Sequence, residues 1–230
     1  MEVIILAGGF GTRLSSVVKD VPKPMAPIGD KPFLALLLDR FIRQGATHFV
    51  LAVCHKKEQI MDYFGDSYGG VPVDYSIEKT PLGTGGAIRQ ALKLCCQEWV
   101  TVVNGDSYFQ VDLLDFQQIA LDLGAPVCIA AKKMYDFSRY GQMIISDTGH
   151  VTAFLEKQPC AEGYINGGVY NVERTALEQY PEVFSMEEDC FPVLVKNRQV
   201  TAAVCDGYFI DIGIPEDYEK AQTYFGCDEK

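Results

Sequence analysis

The sequence predicts an α/β fold: a mostly parallel sheet with helices on both faces and a partly antiparallel C-terminal extension. Three observations predict it. Apolar runs of strand length alternate with stretches at helical spacing as far as about residue 125. Glycine-rich or polar turns follow several of those runs. Beyond about residue 125 shorter apolar runs with turns between them replace the alternation.

The elements follow in order. "EVIIL" reads as the first strand. "KPFLALLLDRFIRQG" reads as a helix, with Leu34, Leu37, Leu38, Phe41 and Ile42 at helical spacing and Gly45 where a C-cap belongs. "HFVLAV" is a strand, "KKEQIMDYFG" a helix and "VPVDYSI" a strand. "GTGGAIRQALKL" is a helix opened by glycines, and "WVTVVNGD" is a strand that ends in a polar turn. In sheets of this kind ligands sit at the carboxyl ends of the strands. Gly8–Leu14, Glu78–Ala87 and Asn104–Ser107 all fall at that edge. Later, "PVCIAAKKM", "YGQMIIS", "HVTAFLEK" and "INGGVYNV" read as short strands, with helices around 187–197 and 215–225. There is no repeat, low-complexity segment or linker, so one continuous domain over 1–230 is expected.

Composition narrows the function. About half of the 230 residues are apolar, enough for a sizeable core. The net charge of −11 excludes general binding to DNA or RNA, which needs many phosphate-neutralising cations. It leaves a small phosphorylated ligand open, because a few local cations suffice for one. The N-terminal apolar run lacks a basic flank and is too short for a signal peptide. No stretch approaches the roughly 18 apolar residues that span a membrane, so a cytoplasmic location is expected. The eight cysteines are scattered without a CxxC pair and read as buried thiols rather than disulfides or metal ligands.

The loop "LAGGFGTRL" carries the first chemistry. A strand followed by glycines and a helix presents backbone N–H groups to phosphate oxygens. Two familiar loops are ruled out: there is no GK[ST] ending, and where a dinucleotide fingerprint has its third glycine stands Leu14. Arg13 instead adds a forked cation suited to a polyphosphate. In "PKPMAP", Lys23 lies between two prolines that fix the backbone on either side. Asp106 ends an apolar strand and Asp211 interrupts "FIDIGIP"; an aspartate amid so much apolar sequence is costly unless paired or bound to a metal. Asp211 is alternatively the N-cap of a helix near Pro215, Asp106 a plain turn residue, and Asp217 reads as a helix-surface acid. None of the three histidines stands beside a serine or cysteine in a nucleophile motif.

"LAGGFGTRL" with the "KPM" that follows resembles the signature of the sugar nucleotidyltransferases, which join a nucleoside triphosphate to a sugar 1-phosphate. The likeness continues in order through "EKTPLGTGGA", "NGDS", "RYG", "EK", "INGGVY" and "DIGIPEDY", over nearly the whole chain. Within that family "VPKPMAPIGDKPFL", "SIEKTPLGTGGAI", "DFSRYG" and "YFIDIGIPEDY" are similar to the heptose 1-phosphate guanylyltransferases of bacterial cell-surface glycan pathways. The resemblance implies a Rossmann-like fold of the nucleotide-diphospho-sugar transferase type. It implies a nucleotide-binding part over about 1–125 and a sugar-phosphate-binding part over about 126–225.

It also implies roles. Leu6, Ala7, Gly8, Gly9, Gly11, Thr12, Gly83 and Thr84 would bind the nucleotide. Arg13 would grip the β- and γ-phosphates, and Lys23 the α-phosphate. Asp106 and Asp211 would hold Mg²⁺, the expected cofactor. Lys157 would hold the phosphate of the sugar and Glu156 its hydroxyls, with Gly141, Asn166 and Gly167 completing the sugar pocket. The expected partners are GTP and a sugar 1-phosphate, with no nucleic acid and no membrane; a homodimer stays open. Glu78 tilts the base choice to guanine, whose adjacent N1–H and N2–H donors one carboxylate accepts together, whereas thymine suits an amide. Mannose 1-phosphate with GTP, glucose 1-phosphate with UTP or dTTP, and a non-catalytic regulatory homologue are the competing readings.

Overall fold

The computed structural model describes residues 1–9, 14, 17, 18 and 20–226. The elements in chain order are β1 (Glu2–Leu6), β2 (Pro27–Ile28), β3 (Lys31–Pro32), α1 (Phe33–Arg43), β4 (His48–Val53), α2 (Lys57–Phe64), β5 (Ser67–Tyr68), β6 (Val71–Ile77), α3 (Gly83–Leu92), β7 (Trp99–Asn104) and β8 (Ser107–Phe109). They continue with α4 (Leu113–Leu123), β9 (Val127–Phe137), β10 (Gln142–Ile145), β11 (Val151–Leu155), β12 (Cys160–Glu173), α5 (Phe191–Lys196), β13 (Val200–Cys205), β14 (Phe209–Asp211) and α6 (Pro215–Gly226).

Ten of these strands form one sheet, in the order β11-β10-β12-β7-β1-β4-β6-β5, with β9 branching from β12 and β13 pairing with β9. β1 lies at the centre, parallel to β4 and β7, with Leu6 beside both Ala52 and Asn104. Its apolar residues divide between two cores: Val3 and Ile5 pack with α1, α2 and α4, while Ile4 packs with α3 and α5. A strand buried on both faces needs a continuous apolar run, and "EVIIL" supplies one. The strands β1, β4, β6 and β7 therefore point their carboxyl ends at one edge.

The second half is antiparallel, as expected, through β12. This strand runs against β7, β9 and β10, with a register shift between Asn166 and Tyr170. β13 then returns parallel to β9, and β14 pairs antiparallel with β8, setting Asp211 opposite Ser107.

Two elements differ from the sequence reading. Helix α4 falls in a stretch to which no element was assigned; Asp112 caps it by accepting from the backbone of Leu114 and Asp115 at 3.0 and 3.1 Å. The helix expected around 187–197 begins as a π-type turn, Met186–Cys190, before α5. The seven described cysteines form no disulfide; Cys95, Cys128 and Cys190 are buried and Cys96 is exposed, which departs from the uniformly buried expectation. No helix among the described residues is long and apolar enough to cross a membrane.

Candidate active site

A cavity of about 450 Å³ opens at the carboxyl edge of the parallel strands. Leu6, Gly8 and Gly9 line it from the end of β1, Ala52 and Cys54 from β4, and Asn104 and Asp106 from β7. Glu78, Pro81, Gly83, Thr84 and Ala87 line it from the β6–α3 connection and α3, and Lys23, Pro24 and Gly213 close it on the other side.

At one end Lys23 joins the two aspartates. Its Nζ stands 2.7 Å from Asp106 Oδ2 and 3.3 Å from Asp211 Oδ1. Lys23 sits in a short 3₁₀ turn, Lys23–Met25, entered through extended Pro22. Asp106 follows β7, and Asp211 ends β14, which reaches the site by pairing with β8. Asp211 Oδ1 also accepts from the Gly213 backbone at 2.7 Å. Two hard oxygen donors meeting at one cation suit a divalent ion that takes its other ligands from phosphate and water. Among the described residues no three or more His, Cys, Asp and Glu side chains gather into a protein-only metal cage.

At the other end stands Glu78, buried at 7% exposure. Its Oε2 accepts from the Leu82 backbone at 2.9 Å, and burial holds its carboxyl above the ordinary range, opposed by that hydrogen bond. Burial and then the Glu78 charge also push the neighbouring Cys54 thiol up. The glycine run that opens α3 packs beneath a strap of chain at 182–184. Gly83 has a φ of +74°, and a Cβ there would meet the Phe184 carbonyl at 2.4 Å. That carbonyl accepts from the backbone of Gly85 and Gly86 at 3.1 and 3.2 Å. Thr84 accepts from the Met186 backbone at 3.0 Å.

The sequence-predicted residues divide accordingly. Leu6, Gly8, Gly9, Lys23, Glu78, Gly83, Thr84 and Asp106 line the cavity, with Asp211 bonded to Lys23 at its wall. Ala7 does not line it: the residue is buried in the core and its N–H donates to the Ala52 carbonyl at 2.8 Å. Gly11, Thr12 and Arg13 lie outside the described residues. Glu156 and Lys157 are exposed beyond β11, outside the lining. Asn166 donates to the Tyr170 hydroxyl and accepts from the Gly168 backbone, at 2.9 and 3.0 Å. Gly167 packs so tightly that a Cβ would stand 2.4 Å from the Phe109 ring. Gly141 faces the Leu155 carbonyl.

Asp217 is not the surface acid that its charged neighbours suggested. It is 6% exposed and paired with Arg139 from the β9–β10 connection and with Lys220 at 2.8 Å. Arg139 in turn lies over the Tyr140 ring, which meets Phe209 beside the Asp211 strand end. Cys54 and Gly213 line the cavity but were missed by sequence reasoning, and Asn104 was placed at the ligand edge without a role. Gly213 alone carried a signal, its place two residues beyond Asp211 in "DIGIP".

Comparison with known proteins accords with this arrangement. Residues 2–226 match the family described as Nucleotidyl transferase. The chain is 45% identical to D-glycero-alpha-D-manno-heptose 1-phosphate guanylyltransferase of Aneurinibacillus thermoaerophilus, over 96% of this chain and 97% of the relative. It is 44% identical to the enzyme of the same name from Campylobacter jejuni subsp. jejuni serotype O:2, over 95% and 97%. The crystal structure of HddC from Yersinia pseudotuberculosis complexed with GMP-PN superposes with a TM-score of 0.87 at 40% identity, covering 97% of this chain and 99% of that one. With the family matched over nearly its full length and its own cation–carboxylate cluster at the sheet edge, the chain belongs to the nucleotidyl transferases.

Proposed function

We infer that this chain is a sugar-1-phosphate guanylyltransferase that joins GTP and D-glycero-α-D-manno-heptose 1-phosphate to give GDP-heptose and pyrophosphate. The observation that carries the reading is one cavity with Lys23, Asp106 and Asp211 at one end and buried Glu78 at the other. The two heptose-phosphate relatives and the GMP-PN complex of HddC support the choice of sugar and base.

The reaction is an in-line displacement at phosphorus. An oxygen of the sugar phosphate forms a bond to the α-phosphorus of GTP, the bond to the bridging oxygen breaks, and pyrophosphate leaves with the electron pair. The attacking oxygen is already anionic, so no general base is needed, and none of the three histidines lines the cavity. Catalysis then rests on positioning and charge neutralisation. Lys23 offers its ammonium to the α-phosphate, where negative charge builds. Glu78 reads the guanine edge. Asp106 and Asp211 would hold Mg²⁺, which supplies further neutralisation of the phosphate oxygens. Arg13 takes the departing phosphates, and Glu156 and Lys157 the sugar phosphate. The product serves bacterial surface glycan synthesis from the cytoplasm.

A matrix of nucleoside triphosphates against sugar 1-phosphates, read by pyrophosphate release, tests the reading. GTP with the heptose 1-phosphate is expected to give the highest kcat/KM. A higher value for mannose 1-phosphate, or for UTP or dTTP with glucose 1-phosphate, overturns it.

A further inference from the structure

We propose that the Lys23 ammonium competes with the divalent cation for Asp106 and Asp211, so that the cation is admitted tightly only together with the triphosphate. The inference rests on the guanylyltransferase reading for the identity of that triphosphate. Its physical basis is the chain's own contacts.

Lys23 Nζ is bonded to both acids, at 2.7 Å from Asp106 Oδ2 and 3.3 Å from Asp211 Oδ1. These carboxylates are the pair that the metal would use. Lys23 is the buried partner, at 8% exposure, against 41% and 26% for the two aspartate side chains. Its backbone has little freedom. Pro22 and Pro24 flank it, and the turn is closed by hydrogen bonds from Met25 to Pro22 and from Ala26 to Lys23, at 2.7 and 3.0 Å. Gly213 presses on the same group from the other side: a Cβ there would stand 3.0 Å from Nζ and 2.8 Å from Asp211 Oδ1. Asp211 Oδ1 is further fixed by the Gly213 N–H.

The cluster therefore carries two negative charges and one positive one within a confined space. A dication bound to the same carboxylates would stand within a few ångströms of the ammonium, and like charges so close repel strongly. Either the ion binds weakly or the ammonium leaves. A buried ammonium leaves only for another anion. The triphosphate brings one, since its α-phosphate is the partner that Lys23 takes in the reaction. Nucleotide and metal then help each other to bind, and the coupling is reciprocal. Free cation alone gains little; the nucleotide with its cation gains both.

Titration of the nucleotide-free protein with Mn²⁺ alone, followed by the electron paramagnetic resonance signal of the free ion, tests this. Lys23→Gln and Lys23→Met are expected to bind Mn²⁺ at least about tenfold more tightly than the wild type. Lys23→Arg, which keeps the charge, is expected to stay weak. Asp106→Asn added to Lys23→Gln is expected to abolish the gain, which assigns it to this site. Should the Lys23 variants fail to fold by circular dichroism, wild-type crystals soaked in Mn²⁺ decide. Anomalous density between Asp106 and Asp211 with Nζ still bonded to both overturns the proposal; Nζ bonded and no such density supports it. Equal Mn²⁺ affinity in wild type and Lys23→Gln also overturns it. Pyrophosphate release by the wild type from GTP and the heptose 1-phosphate tests the underlying reading apart from this one. Its absence alongside the Mn²⁺ gain removes that reading and leaves the competition standing.

Discussion

Glu78 accepts a hydrogen bond from the backbone N–H of Leu82 at 2.9 Å. That bond fixes Oε2 under the start of α3 and leaves Oε1 against Gly8 at the cavity wall, where a Cβ on residue 8 would stand 2.9 Å from it. Gly8 is glycine because a carboxylate occupies the space a side chain would need.

The first prediction concerns the base. If Glu78 reads guanine as proposed, Glu78→Gln leaves one guanine donor facing an amide N–H. Loss of a hydrogen bond to a charged partner costs about 1.5–3 kcal/mol, or about ten- to hundred-fold in kcat/KM for GTP. Inosine triphosphate lacks the 2-amino group, so the wild type should use it less well than GTP and the variant should discriminate less. The four kcat/KM values form a double-mutant cycle. Zero coupling means that Glu78 is a bystander and that backbone groups read the base.

The same residue sets a pH dependence of stability. Burial holds the Glu78 carboxyl above its ordinary value. The folded chain therefore binds this proton more tightly than the unfolded chain. The stabilisation is present at pH below the unfolded value, and it is lost as pH rises through the folded one. At neutral pH the buried charge is a cost. Glu78→Gln, whose amide oxygen still accepts from Leu82, should melt above the wild type at pH 7, with the gap closing near pH 4. A gap that does not depend on pH would mean that the charge is not what is costly.

A third prediction concerns the acids. Asp106→Asn and Asp211→Asn should each lower kcat by orders of magnitude, because either change removes a charged donor from the proposed cation site. Each variant keeps Lys23 bonded to one remaining carboxylate, so circular dichroism and Tm should stay near wild type. Chelation should abolish pyrophosphate release, and Mg²⁺ should restore it. Turnover near the wild-type rate in either variant removes that residue from the mechanism.

The unequal legibility of these parts has physical causes. The parallel half was readable because β1 and β4 are short apolar runs and β6 alternates buried and exposed residues, with helices of one buried face between them. Helix α4 was not: Leu113, Phe116 and Ala120 are buried, but Leu114, Ile119 and Leu121 are exposed, so apolar residues surround it and no single stripe stands out. Asp112 and Gly124, its caps, were the usable signal. Lys23, Asp106 and Asp211 meet across 83 and 188 positions of chain, a distance that local pattern does not span. Motif resemblance connected them. Asp217 was misread for the same reason: "PEDYEK" is charged like a solvent face, and the burial of Asp217 beside Arg139, 78 positions away, leaves no local signal.

A fourth prediction separates the two lysines. Lys23→Ala should depress kcat, since in the proposed mechanism its charge matters most as charge builds at the α-phosphate. Lys157, exposed beyond β11, should act on the other substrate. Lys157→Ala should raise KM for the sugar phosphate about ten- to hundred-fold, as loss of one charged hydrogen bond does, and leave KM for GTP unchanged. A change confined to the GTP KM would mean that the two substrates are assigned to the wrong ends of the site.

The last prediction concerns the glycines of "GTGG", which read in sequence as a nucleotide-binding helix start. A Cβ on Gly85 would stand 2.2 Å from the Phe184 ring. Phe184 is 3% exposed and stacks on Tyr180 at 4.9 Å, so the ring has nowhere to go without shifting its strap. Overpacking of this kind costs about 1–3 kcal/mol, and about 2–4 °C of Tm accompanies each kcal/mol in a chain of this size. Gly85→Ala should therefore melt several degrees below the wild type. The strap also holds the Phe184 carbonyl that bonds Gly85 and Gly86, next to Thr84 and Gly83 in the cavity wall. KM for GTP should rise in the same variant, because the wall moves with the strap. Phe184→Leu in the Gly85→Ala background makes room for the methyl group and should recover part of both losses. A rise in KM with unchanged Tm and no recovery would mean that Gly85 meets the nucleotide directly rather than through the packing of Phe184.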